Sequence, residues 1–214
     1  MNIARFSVNA GERVFIYGPS GCGKSTLLGL LSGVLTPQQG KLRLFDTDLT
    51  ALSGSERDRF RVDHIGLIFQ QFNLIPYLSV FDNVLLPCHF SSRRSARAKT
   101  SGRTLTNEAE RLLSHLSLDS ALWQRPVTTL SVGQQQRVAA ARALIGQPEI
   151  IIADEPTSSL DADRQNDFLN LLLQECKAAQ STLLFVSHDH QLTPHFTREV
   201  ALAAMNQAVV IREA

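Results

Sequence analysis

Nine consecutive residues constrain this chain more than any others. Gly18-Pro-Ser-Gly-Cys-Gly-Lys24-Ser25-Thr26 fits G-x-x-x-x-G-K-[ST], and it lies between the strand-like run RVFIY and an apolar run that reads as a helix. Glycines let the backbone curl until successive N–H groups face one anion. A helix beginning at Lys24 adds the positive end of its dipole. The pattern predicts a P-loop in which Gly18, Pro19, Ser20, Gly21, Cys22 and Gly23 wrap a polyphosphate. Lys24 would reach the β- and γ-phosphates. Ser25 and Thr26 would open the helix, with the Ser25 hydroxyl placed to bind Mg²⁺.

A companion lies far downstream. Ile150-Ile-Ile-Ala-Asp154-Glu155 reads as a buried strand that ends in two carboxylates. Asp154 would hold the Mg²⁺ through water, and Glu155 would polarise the attacking water. The alternative for Glu155 is a simple helix-start residue before Pro156.

The rest of the pattern alternates short strands with longer helices. Strands are predicted over Arg13–Tyr17, 41–45, 65–69, 150–153 and Thr182–Val186, with weaker ones over 200–203 and 208–211. Helices are predicted over Lys24–Leu31, 107–116, 131–145 and 163–178. Alternation at both ends implies an α/β class with a mainly parallel sheet. Residues 71–130 show helical patterns and no convincing strand, so they read as a helical insertion in a core formed by 1–70 and 131–214. Within them, 91–103 (SSRRSARAKTSGR) is basic and serine-rich. It reads as a solvated loop or a short exposed helix, with a surface for acidic partners as the sharper alternative.

At 214 residues the chain fits one domain, or one core with an insertion. Its formal net charge of +1 supplies no global field, so no nucleic-acid partner is expected. No apolar run reaches the roughly 18–20 residues that cross a bilayer, and the N-terminus lacks the h-region of a signal peptide. Any service to a membrane would go through a partner. Cys22, Cys88 and Cys176 are odd in number and far apart, which points to a reducing compartment.

Further segments narrow the class. Leu130-Ser-Val-Gly-Gln-Gln-Gln-Arg137 precedes the carboxylate strand, Ser159-Leu160-Asp161 follows it, and Ser187-His188-Asp189 follows TLLFV. Gln70-Gln71 ends the run HIGLIF. In this order the set resembles the ATP-binding subunits of ABC transporters over nearly the whole chain. The stretches from Ile65 to Pro87 and from Leu130 to Asp161 look most like the lipoprotein-release and macrolide-export branch, which includes antimicrobial-peptide exporters.

The resemblance implies a P-loop NTPase core with a small antiparallel β part, truncated at the N-terminus, and a helical insertion. It implies ATP and Mg²⁺, and a head-to-tail homodimer with two ATP sandwiched between P-loop and signature. It implies a separate membrane permease, and a place on the cytoplasmic face of the membrane through it. Gln70 would reach Mg²⁺ or the attacking water. His188 would contact the γ-phosphate and hold that water beside Glu155. Ser131, Gly133 and Gln134, at a helix N-terminus, would bind the phosphate held by the other subunit. Ser131 could equally be a plain N-cap, and both roles can hold at once. Asp161 would lie at the dimer seam. The other five histidines read as surface or packing residues. Rival readings are a nucleotide-binding regulator without hydrolysis and a soluble ABC ATPase.

Two features depart from the family pattern. Val132 stands where the signature has its first glycine, which implies reduced turnover. Nothing in residues 1–12 matches the aromatic that stacks on adenine, and Phe6 lies in what resembles the second strand. Either Met1 is internal to a longer frame, or ATP is bound without that stack.

Overall fold

The structure is a computed structural model that describes residues 1–207. Strand β1 (Arg13–Tyr17) leads through the glycine-rich loop into α1 (Lys24–Leu31). A short hairpin of β2 (Arg43–Leu44) and β3 (Thr47–Asp48) precedes α2 (Gly54–His64) and β4 (Ile65–Ile68). Four helices follow: α3 (Val80–Phe90), α4 (Ser92–Ala98), α5 (Leu105–His115) and α6 (Val132–Leu144). The chain then returns through β5 (Ile150–Asp154), α7 (Ala162–Ala178), β6 (Thr182–Val186), β7 (Arg198–Ala201) and α8 (Leu202–Met205).

The central sheet runs β4-β5-β6-β1-β7 with every pairing parallel. Its strands are apolar on both faces because helices cover both. Val14 and Ile16 of β1 pack with Leu27, Leu28 and Leu31 of α1, while Phe15 between them packs with the helices of the other face. Strands β5 and β6 divide in the same way, Ile150 and Ile152 against Ile151, and Leu184 and Val186 against Phe185. Each such side chain contributes about 1.5–3 kcal/mol on burial. The predicted α/β class with a parallel sheet and a small antiparallel part is the one observed.

Several elements differ from the pattern-based expectation. The strand expected over 41–45 shrinks to two residues, because Phe45 turns the hairpin at φ 55. The strand expected over 200–203 starts earlier, at Arg198, and gives way to α8 at Leu202. Residues 1–12, Phe6 included, carry no strand; Arg198 lies 5.7 Å above the Phe6 ring instead. The strand expected over 208–211 lies outside the described residues.

Helix α2 has no counterpart in the apolar pattern, since it buries no residue and so shows no apolar stripe. A reciprocal cap starts it: Ser53 Oγ accepts from Glu56 N, and Glu56 Oε2 accepts from Ser53 N at 2.8 Å.

The basic stretch 91–103 does hold a short helix with Ser92, Arg93 and Ala96 exposed, but one of its basic residues is not solvated. Its α4 turns Arg94 inward to 2% exposure, where Nε donates to Ile145 O at 2.7 Å and Nη2 to Ala143 O at 2.6 Å. These are carbonyls at the end of α6, which the helix itself leaves unsatisfied. Arg93 and Arg97 of the same helix each reach Glu149 Oε1 at 2.5 Å, and His64 Nδ1 lies 3.1 Å from Oε2. A second tie joins α5 to α7, where Arg111 donates to Glu175 at 2.8 and 2.9 Å.

Candidate functional site

Parallel strands all end on the same side of the sheet, and a crevice forms beyond those ends. Strand β1 ends in the P-loop, β4 leads to Gln70, β5 ends at Asp154 with Glu155 next, and β6 leads to His188. Because β4, β5, β6 and β1 are neighbours in that order, these groups converge. They enclose one cavity of about 600 Å³, lined by Gly18 through Thr26, Cys22 excepted, and by Gln70, Asp154, Glu155 and His188.

The loop owes its curl to glycines where the backbone turns left-handed, Gly21 at φ 78 and Gly23 at φ 102. Gly23 immediately precedes α1, so the helix N-terminus opens into the cavity. The Lys24 ammonium donates to Gly18 O at 2.8 Å and Pro19 O at 3.3 Å, folding over the loop. Cys22 does not line the cavity. Its Sγ lies against Gly18, where an added Cβ would stand 2.7 Å away, and its side chain packs on the core cluster beneath the loop.

Asp154 is partly buried. Burial, and then the charge of Glu155, push its carboxyl above the ordinary range, with Lys24 opposing. Glu155 sits at φ 46, a left-handed position that costs a non-glycine residue about 1–2 kcal/mol. Its N–H donates to Val186 O at 2.9 Å, which ties the end of β5 to β6. Its Oε2 lies 2.6 Å from His188 Nδ1. A carboxylate accepts only, so Nδ1 is the donor in this contact.

The Ser25 hydroxyl, the Gln70 amide and the Asp154 carboxylate line this cavity together. They are hard oxygen donors and suit Mg²⁺, which binds through one or two protein groups plus phosphate oxygens. Among the described residues no group of three or more His, Cys, Asp or Glu could hold a metal on its own.

Ser131, Gly133, Gln134 and Asp161 are not part of this cavity. Ser131 caps α6: its Oγ accepts from Gln134 N at 3.4 Å, and Gln134 Oε1 accepts from Ser131 N at 2.9 Å. Val132 next to it is 50% exposed. Asp161 caps α7 by accepting from Arg164 N at 3.0 Å. A second and more apolar groove, of about 630 Å³, lies away from the P-loop between Leu67, Phe69, Leu86 and Phe90, with Asn73 and Arg142 on its wall.

The model of the ABC transporter family matches residues 1–158. The chain belongs to the ABC transporter family. It is 38% identical over 204 residues to an uncharacterised ABC transporter ATP-binding protein of Mycobacterium tuberculosis, covering 94% of this chain and 58% of that protein. It is 39% identical to the macrolide export ATP-binding/permease protein MacB of Burkholderia thailandensis, over 92% of this chain and 29% of MacB. The ABC chain thus spans only part of these relatives. Its fold matches the ATP-binding cassette MJ0796, solved as a dimer in a post-hydrolysis state with ADP and Pi. The TM-score is 0.79 at 33% identity, over 92% of this chain and 84% of that one. The family named from the motifs is the family found, and this ABC chain has the ATP-binding cassette fold.

Motif spacing marked every residue that lines the cavity. It gave no sign of the ionic ties behind it, or of the His64–Glu149 contact, whose partners are 85 residues apart. His64 is thus a packing residue whose partner lies far away in sequence.

Proposed function

We propose that this chain is the ATP-hydrolysing subunit of an ABC transporter, working as a head-to-tail homodimer beneath a separate membrane permease. One observation carries the reading: the P-loop, Gln70, Asp154, Glu155 and His188 share one cavity at the ends of adjacent strands.

ATP would bind with its phosphates against the N–H groups of Gly18 to Thr26. Lys24 would leave the Gly18 and Pro19 carbonyls for the β- and γ-phosphates. Ser25, Gln70 and Asp154 would hold Mg²⁺, which when bound neutralises charge developing on the phosphate oxygens. With Oε2 held by His188, Glu155 has Oε1 to face a water. That water attacks the γ-phosphorus, its proton passes to Glu155, and the bond from γ-phosphorus to the bridging oxygen breaks, leaving ADP and phosphate. His188 would meet the γ-phosphate by donating from Nε2.

Ser131, Gly133 and Gln134 lie outside the cavity, so a second copy would bring them to the phosphate, with Asp161 at the seam. The dimeric form of MJ0796 supports this. The fused ATP-binding/permease arrangement named for MacB supports a permease partner. No helix among the described residues is long and apolar enough to cross a membrane, so the permease would hold the chain at the cytoplasmic face. Residues 71–130 would be the insertion that meets it, through the segment 72–83 and the apolar groove beside it. Tyr77 is the most exposed apolar side chain there, at 82%.

The test uses two variants of the purified chain with Mg-ATP. Lys24→Ala should lose tight ATP binding by calorimetry, because it removes a fixed cation from among neutral donors. Glu155→Gln should keep binding, nearly stop hydrolysis and run as a dimer on sizing. Wild-type turnover in Glu155→Gln would overturn the assignment.

A further inference from the structure

The backbone just after Gln70 takes a form that ordinary side chains avoid. Phe72 and Asn73 stand at φ 59 and 49, two left-handed residues in succession and neither a glycine. Such runs persist only where the surroundings hold them. Local bonds contribute, with Phe72 N donating to Phe69 O at 2.9 Å and Asn73 N to Gln71 O at 2.6 Å. The stronger hold comes from a distant residue. Arg142, on the last turn of α6, donates Nη2 to Phe72 O at 2.6 Å and Nη1 to Asn73 O at 2.7 Å. One planar fork thus clamps both carbonyls of the turn.

Among the described residues Arg142 forms no ion pair, and its guanidinium bonds only these two oxygens. The guanidinium is largely buried, and burial lowers its pKa. The base of the clamp is itself fixed. Arg94 of α4 caps the end of α6 through Ile145 O and Ala143 O and reaches Arg142 O at 3.3 Å. The far end of the same helix is the one that starts at Ser131 and Val132.

We propose that Arg142 is a positioning residue for hydrolysis: it pins the left-handed turn at Phe72 and Asn73, and so fixes where β4 delivers Gln70. The inference rests on the proposed role of Gln70 in the nucleotide site. Arg142 touches no nucleotide and acts through the backbone.

The experiment compares the full chain with Arg142→Met, Arg142→Lys and Gln70→Ala, and with the Arg142→Met, Gln70→Ala double variant. Hydrogen exchange of amides 71–75 should quicken about tenfold or more in Arg142→Met. It should quicken less in Arg142→Lys, which keeps one donor. Turnover in Arg142→Met should fall roughly tenfold while KM for ATP changes less than about twofold. In the Gln70→Ala background the same substitution should cost less than about twofold further, because both act at one place. Unchanged exchange at 71–75 in a variant that melts as wild type does would overturn the proposal. So would losses of turnover that multiply in the double variant. Should Gln70→Ala hydrolyse ATP normally while exchange still quickens, the reading of Gln70 falls and the clamp stands. Where Arg142→Met does not fold, Arg142→Lys carries the same comparison.

Discussion

His188 and Glu155 meet at 2.6 Å across two strand ends, with the histidine 69% exposed and the glutamate 12%. Each end is held separately. Glu155 is fixed by the bond of its N–H to Val186, and the loop of His188 by the bond of Asp189 N to Ser187 Oγ at 3.1 Å. Both partners are therefore held by their own strand ends. His188→Ala should lower turnover about 10²–10³-fold, in the range of lost acid–base and electrostatic contributions. ATP affinity should change little, since the P-loop is untouched. Turnover and calorimetry on one preparation decide it; a variant that loses binding and turnover in parallel would contradict this division of roles.

Cys22 should be the first of the three cysteines to react with a maleimide. Cys88 and Cys176 are buried, and burial raises the thiol pKa of both, that of Cys176 to about 12. Cys22 is partly exposed, so a reagent reaches it first. Its Sγ presses against Gly18 beneath the loop, so an adduct there forces the loop open and ATPase activity should fall with labelling. Mg-ATP should slow the reaction by holding the loop shut. Mass spectrometry after brief labelling reads both effects, and prior labelling of Cys88 or Cys176 would refute the ordering.

Val132 occupies the first turn of α6 with half its surface exposed, beside the residues proposed to meet a second copy's phosphate. In the proposed dimer its branched side chain would hold the second copy at a distance. Val132→Gly should raise turnover roughly two- to tenfold and lower stability by about 0.5–1 kcal/mol, as glycine does in helices. Steady-state kinetics beside a thermal melt would check both signs. Equal turnover in the two forms would favour a slow regulator over a working pump subunit.

The ties around Glu149 predict a pH-dependent stability. Burial pushes its carboxyl up, but bonds from Arg93 and its own backbone, with the charges of Arg97 and His64, outweigh that and hold it below the ordinary glutamate range. A depressed carboxyl stabilises the fold fully above its ordinary value and loses that contribution as pH falls through the folded value. Glu149→Gln should therefore cost about 1–3 kcal/mol at pH 7. The deficit should shrink below about pH 4.3, the ordinary glutamate value. Melts of both proteins on either side of that pH measure it, and a pH-independent deficit would show that charge is not the cause.

Much of the core was legible because its signals are local. The runs RVFIY and TLLFV are short, apolar and β-rich, and their strands formed over the expected residues. The cavity was legible because each contributor sits directly at a strand end. Helix α2 left no such trace: GSERDRFRVDH is largely charged and no residue of it is buried, so only the capping box of Ser53 and Glu56 marks where it begins. Arg94 is hidden for a different reason. A charged residue in a serine-rich run looks solvated unless its acceptors are known, and those are helix-end carbonyls about 50 residues away. The clamp on Phe72 and Asn73 comes from 70 and 69 residues away. Partners at that separation leave no periodicity to read.

The cap at the start of α6 has a consequence for the cycle. Ser131 and Gln134 satisfy each other's backbone donors before any second copy arrives. In the proposed dimer the Ser131 hydroxyl would keep accepting from Gln134 N while donating its own proton to a phosphate presented across the seam. The helix start would then present the same groups before and after a phosphate leaves, so the two copies would part without any rebuilding of that turn.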